Sequence, residues 1–176
     1  PIICGNAQPY TYGHYYKKGC AFAHIVRHIS VFITIRGHCS IMATIQEIIQ
    51  SPEFNIIHLV AGHKGAYRKI AGINVVENKE LTLFCRPNEL IVTTGVQIQD
   101  DQEKLEELIR SACSKRVAGF VINTGPYITH IPDSIIAFAN EQEIPIFQMN
   151  WEYRVADLLK ITFQFISSYQ QQQSSE

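Results

Sequence analysis

Three short segments in the second half of the sequence place polar and aromatic side chains directly after apolar runs. Hydroxyl and amide groups can orient a small ligand, glycine lets the backbone approach it closely, and aromatic rings offer flat apolar area. The same residue types also end strands in proteins of any function, so each segment alone is more simply an ordinary turn. Together they predict a ligand-binding surface, whose candidate residues are Thr93, Thr94, Gly95, Asn123, Thr124, Gly125, Tyr127, Asn150 and Trp151.

Catalysis finds less support in the residue pattern. The sequence contains no Gly-x-Ser-x-Gly elbow, no Walker-type lysine after a glycine loop and no Gly-x-Gly-x-x-Gly fingerprint. Asp100, Asp101 and Glu103 stand where a helix is expected to begin, and helix capping explains these acidic residues without catalysis. His130 is a candidate proton donor, but no base stands near it in the sequence. We therefore expect no enzyme, no catalytic residues and no cofactor.

The cysteines and one basic cluster also receive simple interpretations. Cys85 and Cys113 have no neighbouring histidine or cationic motif, which predicts buried and unreactive side chains. The odd total of five cysteines gives no disulfide framework, so we expect a reducing, cytoplasmic setting. Lys64, Arg68 and Lys69 form a basic cluster that is either a solvated face or a site for an anionic ligand or partner.

The first 40 residues differ in composition from the rest of the chain. They contain no Asp or Glu and four of the 15 basic residues, so 11 basic and 16 acidic residues remain. The net charge of −5 makes this remainder a poor candidate for holding a phosphate backbone by charge alone.

Cys20, His24 and His28 recur at helical spacing and, with His38 or Cys39, would supply four zinc ligands. Because no pair has zinc-finger or zinc-ribbon spacing, we expect no metal site.

A capping box directly after Met42 predicts where the fold begins. Thr44 and Glu47 have the spacing of a helix N-cap and its reciprocal partner. The chain does not start with Met, so we expect a fragment or an upstream extension, with residues 1–41 as a leader that is not part of the fold. Residues 42–166 are expected to form one domain.

Strands and helices alternate from residue 44 onward. The predicted strands are 56–62, 73–76, 90–94, 117–122 and 144–149. Three predicted helices cover 44–50, 80–84 and 155–166. Another runs from Asp100 or Asp101 through Ala112, and one more begins near Pro132. A polar tail or linker is expected over 167–176.

Such alternation implies parallel pairing with right-handed crossovers. We therefore predict a single-domain α/β fold, with a parallel or mixed sheet and helices on both faces. The three polar segments would then lie at the carboxyl ends of neighbouring strands, where open α/β sheets bind ligands. No apolar run approaches the roughly 18 residues of a membrane-spanning helix, so we expect no membrane contact.

The run Arg86-Pro87-Asn88-Glu89-Leu90-Ile91-Val92-Thr93-Thr94-Gly95 resembles a known signature: proline, glycine, Glu-Leu, two apolar residues and Thr-Thr-Gly. This signature is typical of the N-terminal domain of purine catabolism regulator (PucR)-like bacterial transcription factors. Further segments match in order over roughly residues 42–166; they are Val60-Ala61-Gly62, Val117-Ala118-Gly119-Phe120, Ile131-Pro132-Asp133, Ile144-Pro145-Ile146 and Asn150-Trp151-Glu152. Asn88 stands where the family usually has glycine, and asparagine tolerates the positive φ of such a turn. An aromatic residue often found in the second strand is missing here, so no effector is carried over from better-known members.

The resemblance implies an effector-sensing regulatory domain of a transcription factor for purine or nitrogen-compound catabolism. It also implies a small-molecule effector, a homodimer, and DNA contact only through a C-terminal helix-turn-helix that this sequence lacks. The alternative is a ligand-free dimerisation or interaction module that uses the amphipathic last helix, 155–166, as its contact.

Overall fold

The computed structural model describes residues 42–173. The α-helices are α1 (Ile45–Gln50), α2 (Gln102–Cys113), α3 (Asp133–Glu141) and α4 (Val155–Gln173). The strands are β1 (Ile57–Ala61), β2 (Gly72–Val75), β3 (Glu89–Thr93), β4 (Gly119–Thr124) and β5 (Ile146–Asn150). Short 3-10 helices cover Pro52–Phe54, His63–Tyr67 and Glu80–Phe84. The proposed leader, with its zinc-ligand candidates Cys20, His24, His28, His38 and Cys39, lies outside the described residues.

The five strands form one mixed sheet in the order β1-β5-β4-β3-β2. Strands β2, β3, β4 and β5 are parallel to one another, whereas β1 pairs antiparallel with β5. The predicted α/β fold is confirmed, and the sheet is mixed because of β1 alone. Parallel neighbours end at the same side, so the carboxyl ends of β2, β3, β4 and β5 lie together. We refer to this side as the carboxyl end of the sheet.

Helices cover both faces of the sheet, which explains why the central strands are apolar along their whole length. All six residues of β4 are buried, as expected for a strand covered on two sides. One face packs against α2 and α3 through the buried residues Leu105, Leu108, Ile109, Ile135, Ile91, Phe120 and Ile122. The other packs against α1 and α4 through Ile45, Ile48, Leu158, Ile166, Leu90, Val92, Val121 and Phe147.

The predicted capping box starts α1. The Thr44 backbone N–H donates to Glu47 Oε2 at 2.7 Å, and the Glu47 N–H donates to Thr44 Oγ1 at 3.4 Å. Burial alone raises the pKa of Glu47, but hydrogen bonds from the Thr44 backbone, the Thr44 hydroxyl and the Tyr169 hydroxyl outweigh it and lower that pKa. The carboxylate therefore stabilises both the start of α1 and the contact with α4.

The last helix is longer than predicted. It runs to Gln173 instead of ending at residue 166, so part of the predicted polar tail is helical. Tyr169 lies in the added part, where its ring packs against Phe165 with centroids 6.3 Å apart and its hydroxyl donates to the Glu47 carboxylate. Glutamine is also a good helix former, which allows the helix to continue beyond these contacts.

The sequence left open that the apolar face of the last helix, α4, contacts another molecule. Leu158, Thr162 and Ile166 are buried, and Leu159 packs half-buried against the cluster that lies between α4 and the sheet. The amphipathic pattern of α4 therefore serves the fold of its own chain. No helix among the described residues is long and apolar enough to span a lipid bilayer.

The structure resolves three local predictions about turns and helix caps. Asp101, rather than Asp100, caps α2: its side chain accepts the Lys104 backbone N–H at 3.2 Å. Asn88 adopts φ 64°, the conformation for which asparagine was expected to replace glycine. Pro132 is the N-cap of α3 and therefore lies one position before the first helical turn.

Candidate functional site

The three polar segments lie side by side at the carboxyl end of the sheet. Thr93 is the last residue of β3 and pairs with Ile122 of β4. Thr124 is the last residue of β4 and pairs with Asn150, the last residue of β5. The loops that follow these strands therefore start from three adjacent positions, as the sequence predicts.

The Thr93-Thr94-Gly95 turn holds a carboxylate of its own chain, that of Glu77. Glu77 Oε1 accepts the Thr94 backbone N–H at 3.0 Å and the Thr94 hydroxyl at 2.8 Å. Glu77 Oε2 accepts the Gly95 N–H at 3.1 Å and a longer bond from the Thr93 hydroxyl at 3.4 Å. The donors that sequence reasoning assigned to a ligand are thus bound to an internal carboxylate.

Gly95 is required by the shape of this turn. Its φ of 79° lies in the left-handed region, which strains residues with a Cβ. A Cβ at this position would also lie 2.4 Å from Cγ1 of Ile128. Glycine therefore allows the loop after β3 and the loop after β4 to pack directly on one another.

Asn123 and Thr124 join β4 to β5 and are both buried. The Asn123 side-chain amide donates to the carbonyl oxygens of Met149 and Asn150 at 3.3 and 3.2 Å. The Thr124 hydroxyl donates to the Met149 carbonyl at 3.4 Å and accepts from the Gln148 amide at 3.0 Å. The side chains of these two residues therefore fix the ends of β4 and β5 through internal hydrogen bonds.

An aromatic pair stands next to these strand ends. The rings of Tyr127 and Trp151 meet edge to face, with centroids 5.4 Å apart and an interplanar angle of 70°. Gly125 permits this arrangement, because a Cβ there would lie 2.6 Å from Cβ of Trp151. Trp151 is 46% exposed, and Asn150 is exposed beside it. An indole face and a side-chain amide are therefore open to solvent at this position.

A second internal carboxylate ties the loops together. Asp100 Oδ1 accepts the Thr129 backbone N–H at 2.9 Å and the Thr129 hydroxyl at 3.0 Å. The Asp100 backbone N–H donates to the Tyr127 carbonyl at 2.7 Å. The backbone hydrogen bond from Thr129 lowers the pKa of Asp100. His130 Nδ1 lies 3.1 Å from the Thr129 hydroxyl, so this exposed histidine adjoins the contact between the two loops.

Comparison with known proteins agrees with the signature in the sequence. The sequence model of the purine catabolism regulatory protein-like family, PucR, matches residues 47–166. The chain belongs to this family. It is similar to the purine catabolism regulatory protein of Bacillus subtilis (strain 168), with 31% identity over 122 residues. The match covers 69% of this chain and 23% of that protein, so the chain spans about a quarter of its relative's length.

Glu77 is the residue of this PucR-like domain that sequence reasoning missed. It lies two positions after Val75, which pairs with Val92 in the neighbouring strand. The two strands leave the sheet side by side, so Glu77 comes opposite Thr94. An acidic residue directly after the second strand was the available signal, but using it required knowing that β2 lies next to β3.

The basic cluster is divided by the structure. The Arg68 guanidinium donates to the backbone carbonyls of Glu143 at 2.9 Å and Val117 at 3.2 Å, so it fastens the turn after α3. Lys64 and Lys69 are exposed. One member of the cluster is thus structural, and the two lysines form a solvated face.

The two described cysteines are poor nucleophiles. Burial raises the pKa of the Cys85 thiol to about 11 and that of the Cys113 thiol to about 12. Both side chains pack with the cluster between the sheet and α2. Their protonated, apolar character fits the sequence interpretation.

A separate groove runs beside β1, with a volume of about 510 Å³. Its walls come from α1, the two 3-10 helices that begin at Pro52 and His63, and the outer strand β1, and they include Ile49, Phe54, His58 and His63. None of the nine candidate ligand residues lines it. The groove is therefore distinct from the carboxyl end of the sheet.

Proposed function

We propose that this PucR-like domain senses a small-molecule effector for a bacterial transcriptional regulator of purine or nitrogen-compound catabolism. One observation supports the ligand site: three loops that carry a partly exposed aromatic pair follow adjacent parallel strands at the carboxyl end of the mixed sheet. Ligands of open α/β sheets bind at this position. The name of the Bacillus subtilis relative, a purine catabolism regulatory protein, supports the biological setting.

The nine candidate residues divide into two roles under this proposal. Trp151, Tyr127, Asn150 and Thr94 are at least partly exposed and contact the effector. Planar nitrogen compounds suit this surface, because an indole ring stacks on them and amide or hydroxyl groups pair with their polar edges. The other five contribute buried side chains or backbone groups to the surface; they are Thr93, Gly95, Asn123, Thr124 and Gly125.

DNA recognition belongs to another part of the full-length regulator. Residues 41–176 carry 11 basic and 16 acidic residues, which disfavours binding to a phosphate backbone. In our proposal a cytoplasmic homodimer couples effector binding here to a helix-turn-helix elsewhere in the protein. The domain itself binds and signals, and it performs no reaction.

A thermal-shift screen against purines, ureides and amino acids tests the ligand site. We expect at least one compound to raise the melting temperature of the wild type and of Leu83→Ala. Leu83 is a suitable control because it is 71% exposed and apolar but lies in the 3-10 helix before β3. For Trp151→Ala we expect at least about tenfold weaker binding, since alanine removes the stacking surface. If no compound stabilises the wild type, or if Trp151→Ala binds as well as the control, the proposed site is wrong.

A further inference from the structure

The contacts of Glu77 define a receptor for a carboxylate rather than a single hydrogen bond. Two backbone N–H groups and two hydroxyl groups of Thr93, Thr94 and Gly95 reach its two oxygens, at 2.8 to 3.4 Å. All four donors are neutral. Such an arrangement recognises the shape and the acceptor capacity of a carboxylate, as backbone anion nests do.

The receptor has structural support that does not depend on Glu77. Thr93 is held in β3 by its pairing with Ile122. The Gly95 carbonyl accepts the backbone N–H groups of Ile98 and Gln99 at 2.8 and 2.9 Å. Gly95 also packs against Ile128, which leaves no room for a Cβ. The turn is therefore expected to keep its shape when the Glu77 side chain is absent.

The occupant, by contrast, is a side chain at the surface end of a strand. Val76 is anchored by a hydrogen bond from its N–H to the Val92 carbonyl at 2.9 Å, but Glu77 follows it and is only half-buried. Rotation of its side chain would vacate the receptor without breaking the sheet. A tethered group of this kind has an effective concentration in the millimolar range or above. An external carboxylate must therefore bring additional contacts to compete.

Such contacts exist at the same end of the sheet. The receptor follows β3 and Trp151 follows β5, two strands away in the sheet order. Two strand spacings amount to about 10 Å. A ligand that reaches both sites would carry a carboxylate at one end and a planar nitrogen-containing group at the other.

We propose that the Thr93-Thr94-Gly95 turn is the carboxylate-binding subsite of the effector site, and that Glu77 fills it in cis until a carboxylate-bearing effector takes its place. This inference rests on the proposed function for the identity of the site. To that function it adds the chemical class of the ligand, a carboxylate, and a competitor within the same chain, the side chain of Glu77. Glu77 is thereby a specificity-determining residue, because only ligands with a matching oxyanion can displace it.

Acetate, with acetamide as its neutral counterpart, tests the subsite on the variant Glu77→Ala. We expect Glu77→Ala to melt below the wild type, and we expect acetate to raise its melting temperature by about 2 °C or more above chloride at equal ionic strength. Acetamide should give no such rise. The wild type and Glu80→Ala, which loses an exposed carboxylate of the same segment, should not respond to acetate beyond chloride. Adding Thr94→Val to Glu77→Ala should weaken the response, since one hydroxyl donor is lost.

An acetate response of Glu77→Ala no larger than that of Glu80→Ala would overturn the inference. If Glu77→Ala is unfolded at room temperature, circular dichroism replaces the melting temperature as the readout. Acetate should then restore the folded spectrum where chloride and acetamide do not, and failure to restore it counts against the subsite. This experiment needs no identified effector. A failed effector screen with a positive acetate response contradicts the proposed function alone, whereas the reverse result contradicts only the carboxylate subsite.

Discussion

The carboxylate of Asp100 accepts both the backbone N–H and the hydroxyl of Thr129, at 2.9 and 3.0 Å. This contact joins the loop after β3 to the loop after β4, so it determines how two of the three segments of the candidate site are arranged. The geometry favours an ionised carboxylate, because hydrogen bonds to a charged acceptor are stronger than those to a neutral one. The arrangement of the site should therefore depend on pH.

Asp100→Asn should lower the melting temperature at neutral pH. The hydrogen bond from the Thr129 backbone holds the pKa of Asp100 below its ordinary value of 3.8. A carboxyl group with a lowered folded pKa stabilises the fold above its unfolded pKa, and this stabilisation is lost as the pH falls through the folded pKa. The melting temperatures of the wild type and Asp100→Asn should thus draw together as the pH falls below 3.8, and they should coincide once it lies below the folded pKa. Glu80→Gln, an exposed control, should follow the wild type throughout, and a difference that persists in acid would contradict the assignment.

Gly95→Ala should destabilise the domain by about 1–3 kcal/mol, because alanine is strained at positive φ and its Cβ would meet Ile128. Gly72 in β2 provides a matched control, since a Cβ there has only an ordinary contact at 3.7 Å, with Glu89 Cγ. Urea unfolding of both variants measures the difference. Equal stability of Gly95→Ala and Gly72→Ala would show that the turn does not need glycine.

Local patterns in the sequence predict much of this fold, because helix caps, turns and buried strands depend mainly on residues that are close in the chain. The Thr44 and Glu47 capping box, the positive φ of Asn88 and the apolar strands are each determined within a few residues. The common placement of the three polar loops also follows, since parallel neighbours end at one side of a sheet.

The remaining features depend on partners that are distant in sequence. The antiparallel direction of β1 depends on its partner β5 at the other end of the domain. The extension of α4 to Gln173 places Tyr169 against the distant residue Glu47, whose carboxylate accepts its hydroxyl. The role of Glu77 depends on Thr94, 17 residues away, across a strand pairing that the sequence does not specify. The sequence thus indicates where a ligand could bind but not which donors are already occupied.

Arg68→Met should cost about 1–3 kcal/mol, because the carbonyls of Val117 and Glu143 lose a charged donor while the aliphatic part of the side chain is kept. The neighbouring exposed residue supplies the control Lys69→Met, which should change stability little. Because Arg68 binds backbone carbonyls rather than a carboxylate, the difference should persist at high salt. Denaturant unfolding at low and high NaCl tests this, and a cost that vanishes in salt would favour an ion-pair role instead.

Cys85 and Cys113 should resist alkylation in the folded domain. Burial raises the pKa of their thiols to about 11 and about 12, so the reactive thiolate is scarce at pH 8. We expect iodoacetamide to modify each at least about a hundredfold more slowly than in the same chain unfolded in urea. Peptide-resolved mass spectrometry follows the two sites separately and removes any contribution of the other cysteines. Rapid modification of Cys85 without denaturant would show that the face of the sheet covered by α2 opens in the native state.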